Sequence, residues 1–180
     1  MLIDAACSTL LIVDMQQKLV PAIEDHQRIV QSCVWLAQLA TLCGVPALAS
    51  EHYAKGLGPT VEPIRAALPA NAYLQKVHFS CVAADCFDNR PELNRKQLVI
   101  AGIEAHVCVL QPAIDWRRAG HEVFVVADAV GARSVQDKAL GLERMRDCGV
   151  AIVSREMVGF EWVKQAATPL FKEFSSRFLR

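Results

Sequence analysis

Gln97-Leu-Val-Ile-Ala-Gly102-Ile-Glu-Ala-His-Val-Cys108-Val-Leu110 decides the fold. Its first half is a short, wholly apolar run of the kind that is buried on both faces of a parallel sheet. Its second half opens a stretch of helical period, Val107 to Ala119, which Gly120 closes. A strand running straight into a helix is half of a βαβ unit, and the rest of the chain repeats the pattern. Thr9 to Val13, Val45 to Ser50, Ala72 to Val77, Gln97 to Ala101, Glu122 to Ala127 and Val150 to Val153 are predicted as strands. Between them, Ile23 to Cys43 carries an apolar stripe at Ile29, Val30, Cys33, Val34, Leu36, Ala37 and Ala40 and ends at Gly44. Val135 to Cys148, closed by Gly149, has the same design. Regular alternation implies right-handed crossovers between parallel strands. The expected fold is α/β: a three-layer, doubly wound, Rossmann-like parallel sheet of six strands.

In such sheets the ligand lies beyond the carboxyl ends of the strands, where strand order reverses, and the common order is 3-2-1-4-5-6. Three apolar runs lead to residues with useful chemistry: the first to Asp14, the third to Lys76, and the fourth to Cys108 just past its end. Strands one and three would lie roughly 10 Å apart at about 4.8 Å per strand, a gap that a lysine stem largely spans. A thiol is nucleophilic as the thiolate, and a free cysteine with pKa near ~8.5 is mostly protonated at neutral pH. Activation therefore has to come from neighbours. A helix N-terminus and the Lys76 ammonium would lower the pKa of Cys108, and the Asp14 carboxylate would accept its proton.

Composition narrows the function classes. The 180 residues are 53% hydrophobic, enough for one domain over 1–180 with a sizeable core. Nineteen basic residues balance nineteen acidic ones, and no Lys or Arg cluster exceeds a pair, so there is no electrostatic footprint for nucleic acid or anionic lipid. Small-molecule chemistry is the expectation. The apolar run before Asp14 is far too short to cross a bilayer, and no basic region precedes it, so a soluble, unprocessed chain without membrane contact is expected. Seven cysteines without a Cys-x-x-Cys pair point to reduced thiols in a cytoplasmic setting. Phe160, Trp162, Val163, Leu170, Phe171, Phe174 and Phe178 make the tail from Glu156 to Arg180 too apolar to be free in water, so it should pack on the domain or on a neighbouring subunit.

Four segments resemble the isochorismatase-like cysteine hydrolase family: Leu11-Ile-Val-Asp-Met-Gln16, Lys76-Val-His-Phe-Ser80, Gly102-Ile-Glu-Ala-His-Val-Cys-Val109 and Val126-Ala-Asp-Ala-Val130. The resemblance runs over nearly the whole chain, including Glu143-Arg-Met145 and Gly149-Val-Ala-Ile152. It implies a catalytic triad of Asp14, Lys76 and Cys108, and a cis peptide at Ile103-Glu104 that turns N–H groups near Ala105 and Cys108 toward one oxyanion point. In the implied reaction Asp14 takes the thiol proton and Cys108 attacks an electrophilic carbon. A leaving amine departs with the returned proton, and water hydrolyses the thioester. Gln16, Glu51, Tyr53, Phe79 and His106 are the expected substrate-binding residues. His52 and His78 are expected as pocket walls or loop residues, and His26 and His121 as surface positions.

Nicotinamidases of the same superfamily hold a divalent ion through an Asp-x-His pair after the second strand. Ala49-Ser-Glu-His-Tyr53 lacks that spacing, and neighbours in extended chain point opposite ways, so neither metal nor other cofactor is expected. The loop Glu51-His-Tyr-Ala-Lys-Gly-Leu-Gly-Pro-Thr60 resembles a metal-free branch that includes the isochorismatase-domain-containing proteins, and its glycines fit a turn better than a phosphate cradle. True isochorismatases cleave a vinyl ether and carry a small residue where Cys108 stands, so a C–N bond in an amide, carbamoyl or imide-like compound is the first expectation. Two alternatives stay open: vinyl ether hydrolysis with Cys108 dispensable, and a non-catalytic oligomeric or redox-sensing protein. Family members are often oligomers, so self-association is expected.

Overall fold

The computed structural model describes residues 1–84 and 90–179; Cys86 and Arg180 lie outside them. Strands β1 (Ser8–Val13), β2 (Ala47–His52), β3 (Tyr73–Lys76), β4 (Gln97–Ile103), β5 (Glu122–Gly131) and β6 (Ala151–Val153) form one sheet in the order β3-β2-β1-β4-β5-β6. Every pairing is parallel. This is the predicted order and class.

Successive side chains of a strand point to opposite faces, and here both faces are covered. On one side Leu10, Ile12, Val99, Ala101 and Phe124 pack with α1 (His26–Leu42), α6 (Arg155–Val163) and α7 (Pro169–Phe178). On the other, Leu11, Val13, Leu98, Ile100 and Val125 pack with α4 (Leu110–Arg118) and α5 (Val135–Asp147). That double burial explains why β1 and β4 are apolar without alternation. Two one-turn helices, α2 (Ala54–Leu57) and α3 (Glu62–Arg65), fill the β2 to β3 connection.

Three boundaries differ from the sequence reading. The chain before α1 is a short 3-10 turn, Val20–Ala22, so the helix starts at His26 and not at Ile23. The helix expected from Val107 opens as a π turn, Ala105–Val109, before α4 proper begins at Leu110. Strand β5 runs on to Gly131 because its register against β4 shifts between Ile100 and Gly102, which lets its second half pair with the end of β4. The aromatic tail packs on its own domain: Phe174 is fully buried, meets Trp35 and Phe178 ring to ring, and Trp35 Nε1 donates to the Phe178 carbonyl at 3.1 Å.

Gly102 positions the site. Its φ of +112° suits glycine, and a Cβ there would stand 2.2 Å from the Val13 carbonyl oxygen. Strands β1 and β4 therefore approach closely just where Asp14 leaves one and the cysteine turn leaves the other. Gly141 does the same for α5, since a Cβ on it would be 3.0 Å from the Cα of His106.

Candidate active site

Asp14 follows β1 in a left-handed conformation, φ +50°, which aspartate tolerates better than most residues. Its N–H donates to the Ser50 carbonyl at 3.1 Å, tying the exit of β1 to β2. The carboxylate is fully buried and accepts from two directions: Ser50 Oγ at 2.7 Å on Oδ1 and Lys76 Nζ at 2.6 Å on Oδ2. Both partners of the Asp14–Lys76 pair are wholly enclosed. The lysine stem thus bridges across β2, as the strand spacing allowed.

Cys108, only 7% exposed, lies next to both Asp14 and Lys76, close enough for each to act on its thiol. The three residues expected to meet do meet. Their protonation differs from expectation. Burial first, and the Asp14 carboxylate second, push the Cys108 thiol up to about 12, against a smaller pull from Lys76. The sequence reading had the pKa lowered; the Lys76 charge is already engaged by Asp14, and burial of the thiol outweighs what is left of its pull. Burial opposes the charge on Lys76, but the Asp14 carboxylate, followed by Cys108 and Cys81, outweighs it and holds the ammonium above the usual lysine range. The resting state is a neutral thiol beside a tight ion pair.

The peptide Ile103–Glu104 is cis. The Glu104 carbonyl accepts from Val107 N at 3.0 Å and Val109 N at 3.1 Å, which folds the turn over, while Arg133 Nε meets the Glu104 carboxylate at 2.6 Å from the end of β5. Ala105, as the first residue of a helical turn, has no acceptor for its N–H within that turn.

Among the expected substrate contacts, Tyr53 lines a cavity of about 430 Å³ with Lys55, Lys76, Val77, His78 and Ala84. Phe79 is half exposed and stacks on the His52 ring, with ring centroids 5.3 Å apart. Burial, then Lys76, hold His52 below the usual histidine range. His106 lies in the π turn beside Gly141, partly exposed. Gln16 and Glu51 need correcting, because both are buried and already engaged. The Gln16 amide donates to the carbonyls of His52 and Gly58 and accepts from His52 N, and Glu51 accepts from the Thr60 N–H and hydroxyl. They brace the β2 loop. A larger cavity, about 520 Å³ beside Trp35 and Pro63, runs along α1 and contains no triad residue.

The donor set does not fit a resident divalent ion. Glu51 is committed to Thr60, His52 bonds the His78 main chain, and no group of three His, Cys, Asp or Glu side chains among the described residues could hold a metal. Ser50 is the residue that sequence reasoning missed. Its only signal was a polar side chain at the end of a buried apolar strand.

The isochorismatase domain profile matches residues 8–157. The chain belongs to the isochorismatase family. Isochorismatase domain-containing protein 2 of Danio rerio is 35% identical over 168 residues, which cover 92% of this chain and 84% of that protein. Isochorismatase domain-containing protein 1 of Danio rerio is 35% identical over 95% of this chain, which spans only 60% of that relative. Among solved structures of this fold, the MAR1 ribonuclease of Caenorhabditis elegans superposes with a TM-score of 0.92 at 31% identity, covering 100% of this chain and 93% of that one. The Escherichia coli YcaC gene product, an octameric hydrolase of unknown specificity, gives 0.90 at 24%, over 99% and 91%. YcaC from Pseudomonas aeruginosa, solved with hexane-2,5-diol and covalent acrylamide, gives 0.83 at 25%, over 91% and 84%. The isochorismatase-like hydrolase fold thus accounts for the sheet order and for the helices on both faces. No helix among the described residues is long and apolar enough to cross a membrane, and Cys7, Cys33, Cys43, Cys108 and Cys148 form no disulfide.

Proposed function

We propose that this isochorismatase-family chain, one domain over residues 1–180, hydrolyses a C–N bond in a small amide, carbamoyl or imide-like compound through a thioester on Cys108. One observation carries the reading: a thiol, a carboxylate and an ammonium, each buried, share one hydrogen-bonded cluster at the carboxyl end of the sheet. Asp14 removes the Sγ–H proton as Sγ attacks the carbonyl carbon, so the thiolate need not exist beforehand. The N–H groups near Ala105 and Cys108 are the oxyanion donors that the family resemblance implies, while those of Val107 and Val109 bond the Glu104 carbonyl. Asp14 returns the proton to the departing nitrogen, then takes one from the water that cleaves the thioester. Lys76 stays charged and fixes the carboxylate throughout. Tyr53, Phe79 and His106 flank the substrate. Reduced thiols fit a cytoplasmic setting, and self-association is part of the proposal.

The thiol pushed up to about 12 favours a second reading, in which Asp14 acts on a vinyl ether and Cys108 is a bystander. A screen of amides, carbamoyl compounds and enol ethers against the wild type, Cys108→Ala and Asp14→Ala separates the two. Loss of C–N hydrolysis in both variants, with a thioester mass on Cys108 in quenched wild type, is the expected result. Full turnover by folded Cys108→Ala would end the covalent route.

A further inference from the structure

We infer that Ser50 is a positioning residue that sets the proton affinity of Asp14, holding it in balance between taking the proton from Cys108 and giving it back. The inference rests on the proposed role of Asp14 as base.

Ser50 is wholly buried at the end of β2, between the strands that carry Asp14 and Lys76. It grips Asp14 twice: its carbonyl takes the Asp14 N–H at 3.1 Å, and its hydroxyl donates to Oδ1 at 2.7 Å. With Lys76 on Oδ2, the two donors fix the plane of the carboxylate. They also stabilise its charge, because a hydrogen bond to an ionised acceptor favours the ionised form. The charged and titratable groups around the carboxylate are Lys76 from β3, Cys108 from the π turn and His52 two residues further along β2, with Cys81 coupled through Lys76. Lys76 must remain charged to pair with Asp14 at all. Ser50 is the neutral donor, and removing it changes proton affinity without removing a charge.

The consequence is confined to Cys108, whereas loss of a merely structural serine would loosen the core and speed labelling of the buried Cys33 as well. Two states compete for one proton: neutral thiol with carboxylate, and thiolate with carboxylic acid. The hydroxyl on Oδ1 favours the first. Ser50→Ala weakens the hold on the carboxylate, so Asp14 draws the Sγ proton more strongly and the thiolate becomes more populated. Turnover suffers in the same variant, since a more basic Asp14 surrenders its proton to the leaving nitrogen less readily.

The test is site-resolved alkylation by iodoacetamide against pH, in wild type, Ser50→Ala, Ser50→Thr and Asp14→Asn, with the exposed Cys7 and Cys148 as internal clocks. Circular dichroism and unchanged labelling of the buried Cys33 certify the fold. Ser50→Ala is expected to label Cys108 faster at pH 7 by about tenfold to a hundredfold, the range set by one hydrogen bond to a charged group. Ser50→Thr, which keeps the hydroxyl, is expected to stay within about twofold of wild type. Faster labelling in Asp14→Asn together with an unchanged or slower rate in Ser50→Ala would overturn the inference and leave the role of Asp14 standing. An unchanged Cys108 rate and pH profile in Asp14→Asn would remove the role of Asp14, and the inference with it; a slower rate there marks a lost base and leaves the Ser50 variants to decide. If Ser50→Ala does not fold, Ser50→Thr and Ser50→Cys decide instead: a weaker donor at the same place must give a rate above that of threonine, and equal rates refute the idea.

Discussion

Replacing Asp14 with asparagine should make Cys108 a better free nucleophile and the protein a worse catalyst. A thiol at about 12 is ionised to about one part in 10⁴ at pH 8. Asparagine keeps the shape and can keep the Ser50 contact, yet it removes the carboxylate charge and its hydrogen bond, two of the three causes that raise the thiol. Burial, the largest cause, remains, and so does the lowering pull of Lys76, now without its partner. A fall of one unit multiplies the thiolate at pH 8 by about ten. A full return to about 8.5 would multiply it by on the order of 10³, so a gain of ten- to a hundredfold in iodoacetamide labelling is the expected range. C–N hydrolysis should fall by about 10² to 10⁴ in the same variant, the usual worth of a positioned base. Removing one member of a buried ion pair costs about 3 to 5 kcal/mol, so rates are compared below the melting point of the variant and normalised to Cys7 and Cys148. If folded Asp14→Asn leaves the Cys108 labelling rate and its pH profile unchanged, Asp14 does not govern this thiol and the assignment of roles collapses.

Gly102→Ala should cost more than about 3 kcal/mol in a urea titration, because the new Cβ meets the Val13 backbone at 2.2 Å and φ is +112°; a loss below about 1 kcal/mol would show that β1 and β4 separate easily. Stability should decline as pH rises above about 8.5, since the unfolded Cys108 thiol ionises there while the native one holds its proton to about 12. The loss from this residue is about 1 to 2 kcal/mol by pH 10, Lys76 adds to it at higher pH, and Cys108→Ser should reduce the decline in thermal melts between pH 8 and 10, leaving the share of Cys33 and Cys43, whose thiols burial pushes up to about 12 and about 11. Arg133→Ala breaks a pair whose arginine is 63% exposed, so a urea midpoint change worth under about 1 kcal/mol is expected, and a larger one would mean that the pair holds the cysteine turn together. Despite the ribonuclease among its structural neighbours, a chain with zero net charge should show no RNA binding by fluorescence anisotropy at physiological salt; salt-sensitive binding below about 1 µM would contradict that.

Most of the fold was legible because its cause is local and repeated. Apolar runs buried on both faces and glycine-closed helical stripes leave the parallel, doubly wound sheet as the economical arrangement, and the order of β1 to β6 follows from short crossovers. The meeting of Asp14, Lys76 and Cys108 was legible for the same reason, since each lies at or just beyond the exit of its strand. The cis peptide came only through family resemblance, and nothing in Ile103-Glu104 as a dipeptide announces it. Gln16 and Glu51 misled because a polar side chain near a strand exit looks the same whether it faces a ligand or the backbone of the next loop. The β2 loop takes both: Gln16 satisfies His52 and Gly58, and Glu51 caps Thr60.

The charge state of Cys108 shows where residue-by-residue reading stops. Lysine beside cysteine argues for a low thiol pKa only while the lysine charge is uncommitted. Once Lys76 Nζ lies 2.6 Å from Asp14 Oδ2, with both side chains closed to solvent, the pair is nearly neutral at the distance of the thiol, and burial decides. That inversion suits a hydrolase better than a permanent thiolate would. A neutral thiol resists stray electrophiles and oxidants, and becomes a nucleophile only as its proton passes to Asp14 during attack. The reactivity of the cluster therefore resides in one shared proton, and the group that adjusts its position without carrying charge is the buried hydroxyl of Ser50.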